Sequence, residues 1–425
     1  MTAATAQRHA PLRAPHAEIR ARFRRVRAET EALAAPLSPE DQTIQSMPDA
    51  SPTKWHRAHT TWFFETFVLV PHLEGYTTFD PAFRTVFNSY YEQVGPYHPR
   101  PQRGVLSRPG AAEVGDYRAH VDAAIERLLD ACNDAVAELV LIGTHHEQQH
   151  QELILTDIKH ALSLSPLAPV YAAVAPEVAA APPAPPGWWA LAGGIRRIGH
   201  APADGPLAFA FDNEGPAHDA LIRPCAIADR PVSNGEFRAF VEDGGYRRVE
   251  LWLSEGWQTV RERGWNAPGY WRRDDRGDWR VYTPHGEKPV RDDEPVCHVS
   301  YFEAAAYAQW AGKRLPTEFE WEACMRDRAE AHADDEAPRP HPRPLRPGVR
   351  QDVWEWTQSA YAPYPGFRAA AGALGEYNGK FMVNQQVLRG RSCATPFGHA
   401  RLTYRNFFPA AARWQFAGFR LAEDR

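Results

Sequence analysis

Apolar residues in the first 165 positions recur at helical spacing, and breakers divide them into four runs. Ala17 to Ala35 is rich in helix formers with few breakers. Ser51-Pro52 has the form of an N-cap followed by proline at the first helical position, which predicts a helix towards Val70. Gly115-Asp116 predicts the start of a third helix through VDAAIERLLDACNDA, and a fourth runs from about Ala135 to Leu162. Four helices of this length predict a bundle.

The pattern breaks at PLAPVYAAVAPEVAAAPPAPP, Pro166 to Pro186. Repeated Pro with Ala cannot pack as a helix and favours extended conformations. It predicts a linker over 166–187, between a helical domain, 1–165, and a second domain, 188–425. Beyond it, short β-like pieces (Trp189–Ile198, Val387–Arg391, Phe416–Leu421) alternate with Gly, Pro and Asn turns. Two helices are predicted there, Asn234–Glu242 and Tyr301–Ala311, giving a loop-rich α+β domain. Ala329 to Pro347, with its PRPHPRPLRP run, reads as an exposed loop.

Composition narrows the function classes. A chain of 425 residues can bury two cores. Hydrophobic residues make up 44%, charged residues 24%, and the net charge is −5 without any Lys/Arg-rich run, which argues against a nucleic-acid partner. The N-terminus lacks the apolar stretch of a secretory signal, and no run reaches the roughly 18–20 apolar residues that cross a bilayer. Cys132, Cys225, Cys297, Cys324 and Cys393 are scattered, with no CxxC, so reduced thiols in a cytoplasm are expected. The 14 Trp, 15 Tyr, 20 Phe and 38 Pro predict irregular loops packed around large side chains.

The chemistry concentrates in THHEQQHQE, residues 144–152. His146 and His150 lie four apart, roughly 40° around a helix axis, so their imidazoles can chelate one ion. Glu152 is rotated about 200° from His150 and cannot easily share that ion. A third ligand should come from a facing helix, and SPTKWHRAHTTWFFETF, residues 51–67, offers His56 and His59. His59 shares a face with Trp55, Trp62 and Thr66, while His56 shares one with Thr60, Phe63 and Phe67. Periodicity leaves both open, and three histidines accept Fe, Zn, Ni or Cu.

Together WHRAH and HEQQH resemble the DinB-like bundle of the ergothioneine-biosynthesis sulfoxide synthases, where one histidine of W-x-x-x-H and two of H-E-x-Q-H hold non-haem iron. The resemblance assigns Fe(II) to His59, His146 and His150 and leaves His56 and His145 outside. RPVSNGEFRAFVEDGGY (230–246), PVCHVSYFEAAAYAQWAGKRLPTEFEWEAC (295–324), DVWEWTQSAY (352–361), VLRGRSC (387–393) and FAGFRLAED (416–424) resemble the formylglycine-generating-enzyme-like domain, a fold related to C-type lectins. Cys393 is the sole cysteine after Cys324, so the cysteine-pair chemistry of formylglycine-generating enzymes has no basis here. The domain is expected to serve as a substrate wall and lid.

The resemblance implies an O₂-dependent oxidoreductase joining a thiol to C2 of hercynine (Nα-trimethylhistidine) as a sulfoxide, with no organic cofactor. It places Gln149 and Asn406 near hercynine and makes Tyr90 and Tyr91 candidate proton donors. The tyrosine pair belongs to the branch that uses free cysteine. Asn406-Phe407-Phe408 stands where the γ-glutamylcysteine branch carries Asn-Trp-Asp, so L-cysteine is the expected donor. Arg84, Arg100, Arg103, Arg389 and Arg405 are all open as partners of its carboxylate. The alternatives are a selenoneine synthase, a non-catalytic binding module, and a DinB-like thiol transferase using zinc or nickel.

Overall fold

The computed structural model describes residues 16–173, 184–201, 209–328, 337–345 and 352–425. Residues 174–183 of the expected linker and most of 329–347 lie outside them. The chain divides into two compact units, Met1–His150 with His200–Phe211, and Gln151–Gly199 with Asp212–Arg425. The division falls inside one helix, between His150 and Gln151.

The first unit is built on α1 (His16–Ala34), α2 (Thr53–Phe64), α3 (Ala111–Leu128) and the N-terminal part of α4 (Asp134–Ser163). Its core joins Phe23 and Val26 of α1, Trp62, Phe63 and Phe64 of α2, Val114, Tyr117, Val121 and Ile125 of α3, and Val140 of α4. Two expected helix starts are corrected. Pro52, not Ser51, is the N-cap of α2 and makes no side-chain cap bond. The Ser51 hydroxyl instead accepts from buried Arg103 at 2.9 Å, a tertiary partner that local sequence does not reveal. The third helix begins at Ala111 rather than Gly115. Ala111, Ala112 and Glu113 are better helix formers than Gly115, which sits inside the helix. Beyond Phe64, α2 continues as a π-helical turn, Glu65–Leu69. There Glu65 accepts hydrogen bonds from the hydroxyls of Tyr76 and Tyr117, each at 2.7 Å.

The second unit carries short sheets: β1 (Trp188–Leu191), β4 (Cys225–Ala228) and β12 (Ala422–Asp424) form one in the order β1-β4-β12. β2 (Gly194–Ile198) and β3 (His218–Ile222) form a pair, and β5 (Trp271–Arg273), β6 (Trp279–Thr283) and β7 (Gly286–Pro289) a three-stranded meander. β8 (Trp354–Ala360), β9 (Gln386–Gly390), β10 (Asn406–Phe408) and β11 (Ala417–Gly418) are ordered β10-β9-β8-β11. The expected Trp189–Ile198 strand is thus two strands in different sheets, and Phe416–Leu421 contributes only the two residues of β11.

α5 (Asn234–Glu242) and α7 (Tyr301–Trp310) match the two expected helices, and both open with a capping box, Ser233/Glu236 and Ser300/Glu303. Two more are present, α6 (Ser254–Arg263) and α8 (Glu318–Arg326). The core mixes indoles with buried ion pairs. Arg389 binds Glu322 at 2.5 Å, Arg405 binds Glu318 at 2.8 Å, and Arg420 binds Glu355 at 2.7 Å.

Candidate metal centre

His59 comes from α2 and His146 and His150 from α4, and one ligand atom of each lies within 4.8 Å of the other two. The ring centroids are 4.6–5.0 Å apart. Among the described residues this is the sole His, Cys, Asp or Glu group close enough to hold an ion. His56 and His145 stay outside it, His145 stacking on Phe209 at 3.9 Å.

His59 is held on three sides. Its Nδ1 lies 2.7 Å from the carbonyl oxygen of Phe87 and must donate to it, so Nε2 keeps its lone pair. Trp55 stacks on the ring at 4.6 Å and Trp62 at 5.5 Å. Phe63 packs on His146 at 4.6 Å. The accessible edge of the group is at His150 and its neighbour Gln149, both half-buried.

Burial sets the protonation. It pushes His59 well below the usual imidazole range, aided by His146. It takes His146 down to about 3, and it lowers His150 with help from His146 and His59. Three neutral imidazoles are what a divalent first-row ion requires. Bonds of about 2.1 Å put ligand nitrogens roughly 3–4.2 Å apart, so the three rings need only a small contraction to close on one ion. The donor set fits a metal.

Glu147, between His146 and His150 in sequence, was not singled out by sequence reasoning. It is fully buried and accepts from Arg27 and Arg118, each at 2.9 Å, and from Thr30 at 2.7 Å. Burial pushes its carboxyl up, but Arg27 and Arg118 outweigh that and hold it below the usual range. The network ties α4, the helix of His146 and His150, to α1 and α3. A glutamate inside an otherwise inward-facing stretch, with arginines in two other predicted helices, was the available signal.

The other expected residues fall as follows. Tyr91 is buried against Trp62 (5.6 Å) and Phe67 (5.1 Å), one ring removed from His59, and half-buried Tyr90 stacks on it at 4.7 Å. In the second unit, Asn406, Phe407 and Phe408 form β10. Phe407 stacks on Tyr361 at 4.1 Å and Phe408 meets Trp414 edge-on at 5.4 Å. Glu152 is committed there too, accepting from Trp354, Ser392 and Thr395. Of the arginines left open, Arg389 and Arg405 are consumed by Glu322 and Glu318, and Arg103 lies 3.4 Å over the Trp55 ring. Burial drives the Cys393 thiol well above its usual pKa, as befits an inert side chain.

A helical bundle in which three imidazoles converge, followed by a sheet-containing domain, defines a two-domain protein with a candidate metal centre. Residues 22–154 match the DinB superfamily, and residues 175–344 and 348–425 match the sulfatase-modifying factor enzyme 1-like domain. The hercynine oxygenase of Mycolicibacterium thermoresistibile is 34% identical over 89% of this chain and 88% of its own. That of Mycobacterium tuberculosis is 35% identical over 77% of this chain and 81% of its own. A formylglycine-generating enzyme of Thermomonospora curvata is 35% identical over 40% of this chain and 58% of its own. The chain belongs to the hercynine oxygenase family and is an oxidoreductase. Among the described residues no helix is long and apolar enough to cross a membrane.

Proposed function

We propose that the protein is a non-haem iron, O₂-dependent sulfoxide synthase that joins L-cysteine to C2 of hercynine in ergothioneine biosynthesis. The observation that carries this reading is the convergence of His59, His146 and His150 from two helices, with an accessible edge at His150. The family membership supplies the chemistry that such a centre serves.

The overall reaction balances without a reductant. Loss of the C2 hydrogen and the thiol hydrogen as the C–S bond forms releases two electrons, and oxidation of sulfur releases two more. These four reduce O₂, one oxygen atom entering the sulfoxide and the other leaving as water. Iron(II) bound by the three imidazoles would supply the dioxygen chemistry and hold the thiolate.

The protein's own residues do the rest. Phe87 and the flanking indoles of Trp55 and Trp62 fix the His59 ring and exclude water from it. Gln149, beside His150 at the accessible edge, and Asn406 are assigned to hercynine. Tyr90 and Tyr91 are assigned to proton delivery, with the Asn88 side chain pinning the turn by accepting from the Tyr91 amide and donating to its carbonyl. The run Asn406-Phe407-Phe408 offers no carboxylate to a glutamyl extension, which supports free cysteine as donor.

The test is anaerobic loading with Fe(II), addition of hercynine and cysteine, then air, with mass analysis. A product of the sulfoxide mass that needs both iron and O₂ is expected. Turnover without oxygen, or none in the iron-loaded protein, overturns the reading. Clear preference for γ-glutamylcysteine in a steady-state comparison overturns the choice of thiol.

A further inference from the structure

His56 lies outside the histidine triad, yet its Nδ1 is 2.8 Å from Nδ1 of His150. It is 2% exposed, its ring sits 5.1 Å from that of His150, and Trp55 meets it edge-on at 5.8 Å. The contact differs in kind from the one that orients His59. A carbonyl oxygen can only accept, so Phe87 dictates the His59 tautomer. An imidazole nitrogen can donate or accept, so the His56–His150 pair has two arrangements of one proton. If His150 donates from Nδ1, its Nε2 lone pair is free for an ion. If His56 donates, the neutral His150 ring carries its proton on Nε2 and cannot ligate.

We propose that His56 is a positioning residue for the metal centre: it accepts the Nδ1–H of His150 and so fixes the tautomer that turns His150 Nε2 towards the ion. The inference rests on the metal-site reading above. A ligating histidine ordinarily donates its other N–H to a carboxylate, carbonyl or water, and removing such a partner typically costs roughly 10- to 100-fold in metal affinity. Here the acceptor is a neutral imidazole from the helix that supplies His59. The W-H-x-x-H spacing therefore serves the centre twice, His59 through its lone pair and His56 through the proton it receives.

Two measurements test this, and neither reads turnover. In the zinc-loaded full-length protein, which is diamagnetic, ¹⁵N–¹H spectra of the histidine rings are expected to show His150 protonated at Nδ1 and His56 protonated at Nε2. A proton on His56 Nδ1 facing His150 overturns the proposal, and this experiment needs no variant. The second is Co(II) affinity by competition in His56→Leu and His56→Asn, since the Asn Oδ1 can take the place of the imidazole acceptor. Loss of roughly 10- to 100-fold in His56→Leu, with His56→Asn within about threefold of the parent, is expected. Equal losses in both variants would mean that His56 only packs, and parent-like affinity in both would mean that the bond is idle; either outcome overturns it. If the parent protein binds no Co(II) or Zn(II) at all, the metal-site reading itself fails, a result distinct from the other two.

Discussion

His59 Nδ1 and the carbonyl oxygen of Phe87 are joined by a 2.7 Å hydrogen bond that leaves Nε2 its lone pair, in a ring whose centroid lies 5.0 Å from that of His146 and 4.8 Å from that of His150. Replacing His59 by Gln removes one of the three proposed ligands. The expected result is a loss of at least about 100-fold in Co(II) affinity, more than the second-layer partner is expected to cost, and loss of sulfoxide formation. Isothermal titration and the product assay check it. Near-parent affinity would show that His59 is not a ligand.

Tyr91 touches Trp62, the indole that stacks on His59, and Tyr90 stacks on Tyr91. Tyr90→Phe and Tyr91→Phe keep these ring contacts and remove only the hydroxyls. Proton delivery by either predicts a fall of roughly 10²- to 10⁴-fold in the turnover of that variant, with metal affinity unchanged. Single-turnover rates after loading with iron decide it. Parent-like rates in both variants would leave the pair a packing role.

Glu147 is a stability residue within the helix of His146 and His150. Glu147→Gln removes the fully buried carboxylate that Arg27 and Arg118 share and leaves them only the partly exposed Asp122 and Glu31, and breaking a buried pair from one side costs about 3–5 kcal/mol. For a unit of this size that corresponds to a fall of roughly 10 °C in Tm. Glu74→Gln, at an exposed position, should stay within about 0.5 kcal/mol of the parent. Thermal unfolding of the metal-free protein measures both.

Glu147 also shows how far sequence can be read. The four N-terminal helices and the HxxxH pair were legible because their amphipathic spacing is local. The role of Glu147 was not, because Arg27 and Arg118 reach it from 120 and 29 positions away. The unexpected helices fail for opposite reasons. α6 buries only Gly256 and Val260, too thin a stripe to register. In α8, Glu318, Glu320 and every residue from Trp321 to Met325 are buried, so no polar face marks the period. Its capping box, Thr317 with Glu320, was written in the sequence as TEFE. The carboxylates of Glu318 and Glu322 look like surface charges until Arg405 and Arg389 arrive from the other end of the domain. The choice between His56 and His59 is likewise tertiary: both are buried, and only the positions of Phe87, His146 and His150 separate their roles.

The histidine group makes the metal-free protein sensitive to acid. In the folded state His59, His146 and His150 titrate far below the unfolded value of about 6.5. Below that pH the unfolded chain binds protons that the folded chain does not, so stability falls as pH falls. Each group contributes up to about 1.4 kcal/mol per pH unit. Urea midpoints at pH 7, 6 and 5 should therefore decline, and His146→Gln should decline less steeply by about one group's share. Identical slopes would show that His146 is already charged or solvated in the folded protein.

Lys159, on the part of α4 that belongs to the second unit, acts with the same sign at alkaline pH. Its Nζ lies 2.6 Å from Nε2 of His298 and over the rings of Tyr270 and Phe416, and burial lowers its pKa to about 8. The unfolded value is about 10.4, so between pH 8 and 10 the unfolded state holds a proton that the folded state has released. The cost of burying the ammonium, on the order of 3 kcal/mol, is fully present below pH 8 and is relieved as pH rises through this window. Buried thiols pull the other way, since Cys225 is raised to about 11 and Cys297 to about 12, which weakens folding above the unfolded thiol pKa. The comparison must therefore be between the parent and Lys159→Met at each pH. The variant's stability relative to the parent should be greatest near pH 7.5 and should decline by about 1.4 kcal/mol per unit between pH 8 and 10. A difference independent of pH would mean that the amine stays charged throughout, held by His298 and the two rings rather than penalised by its burial.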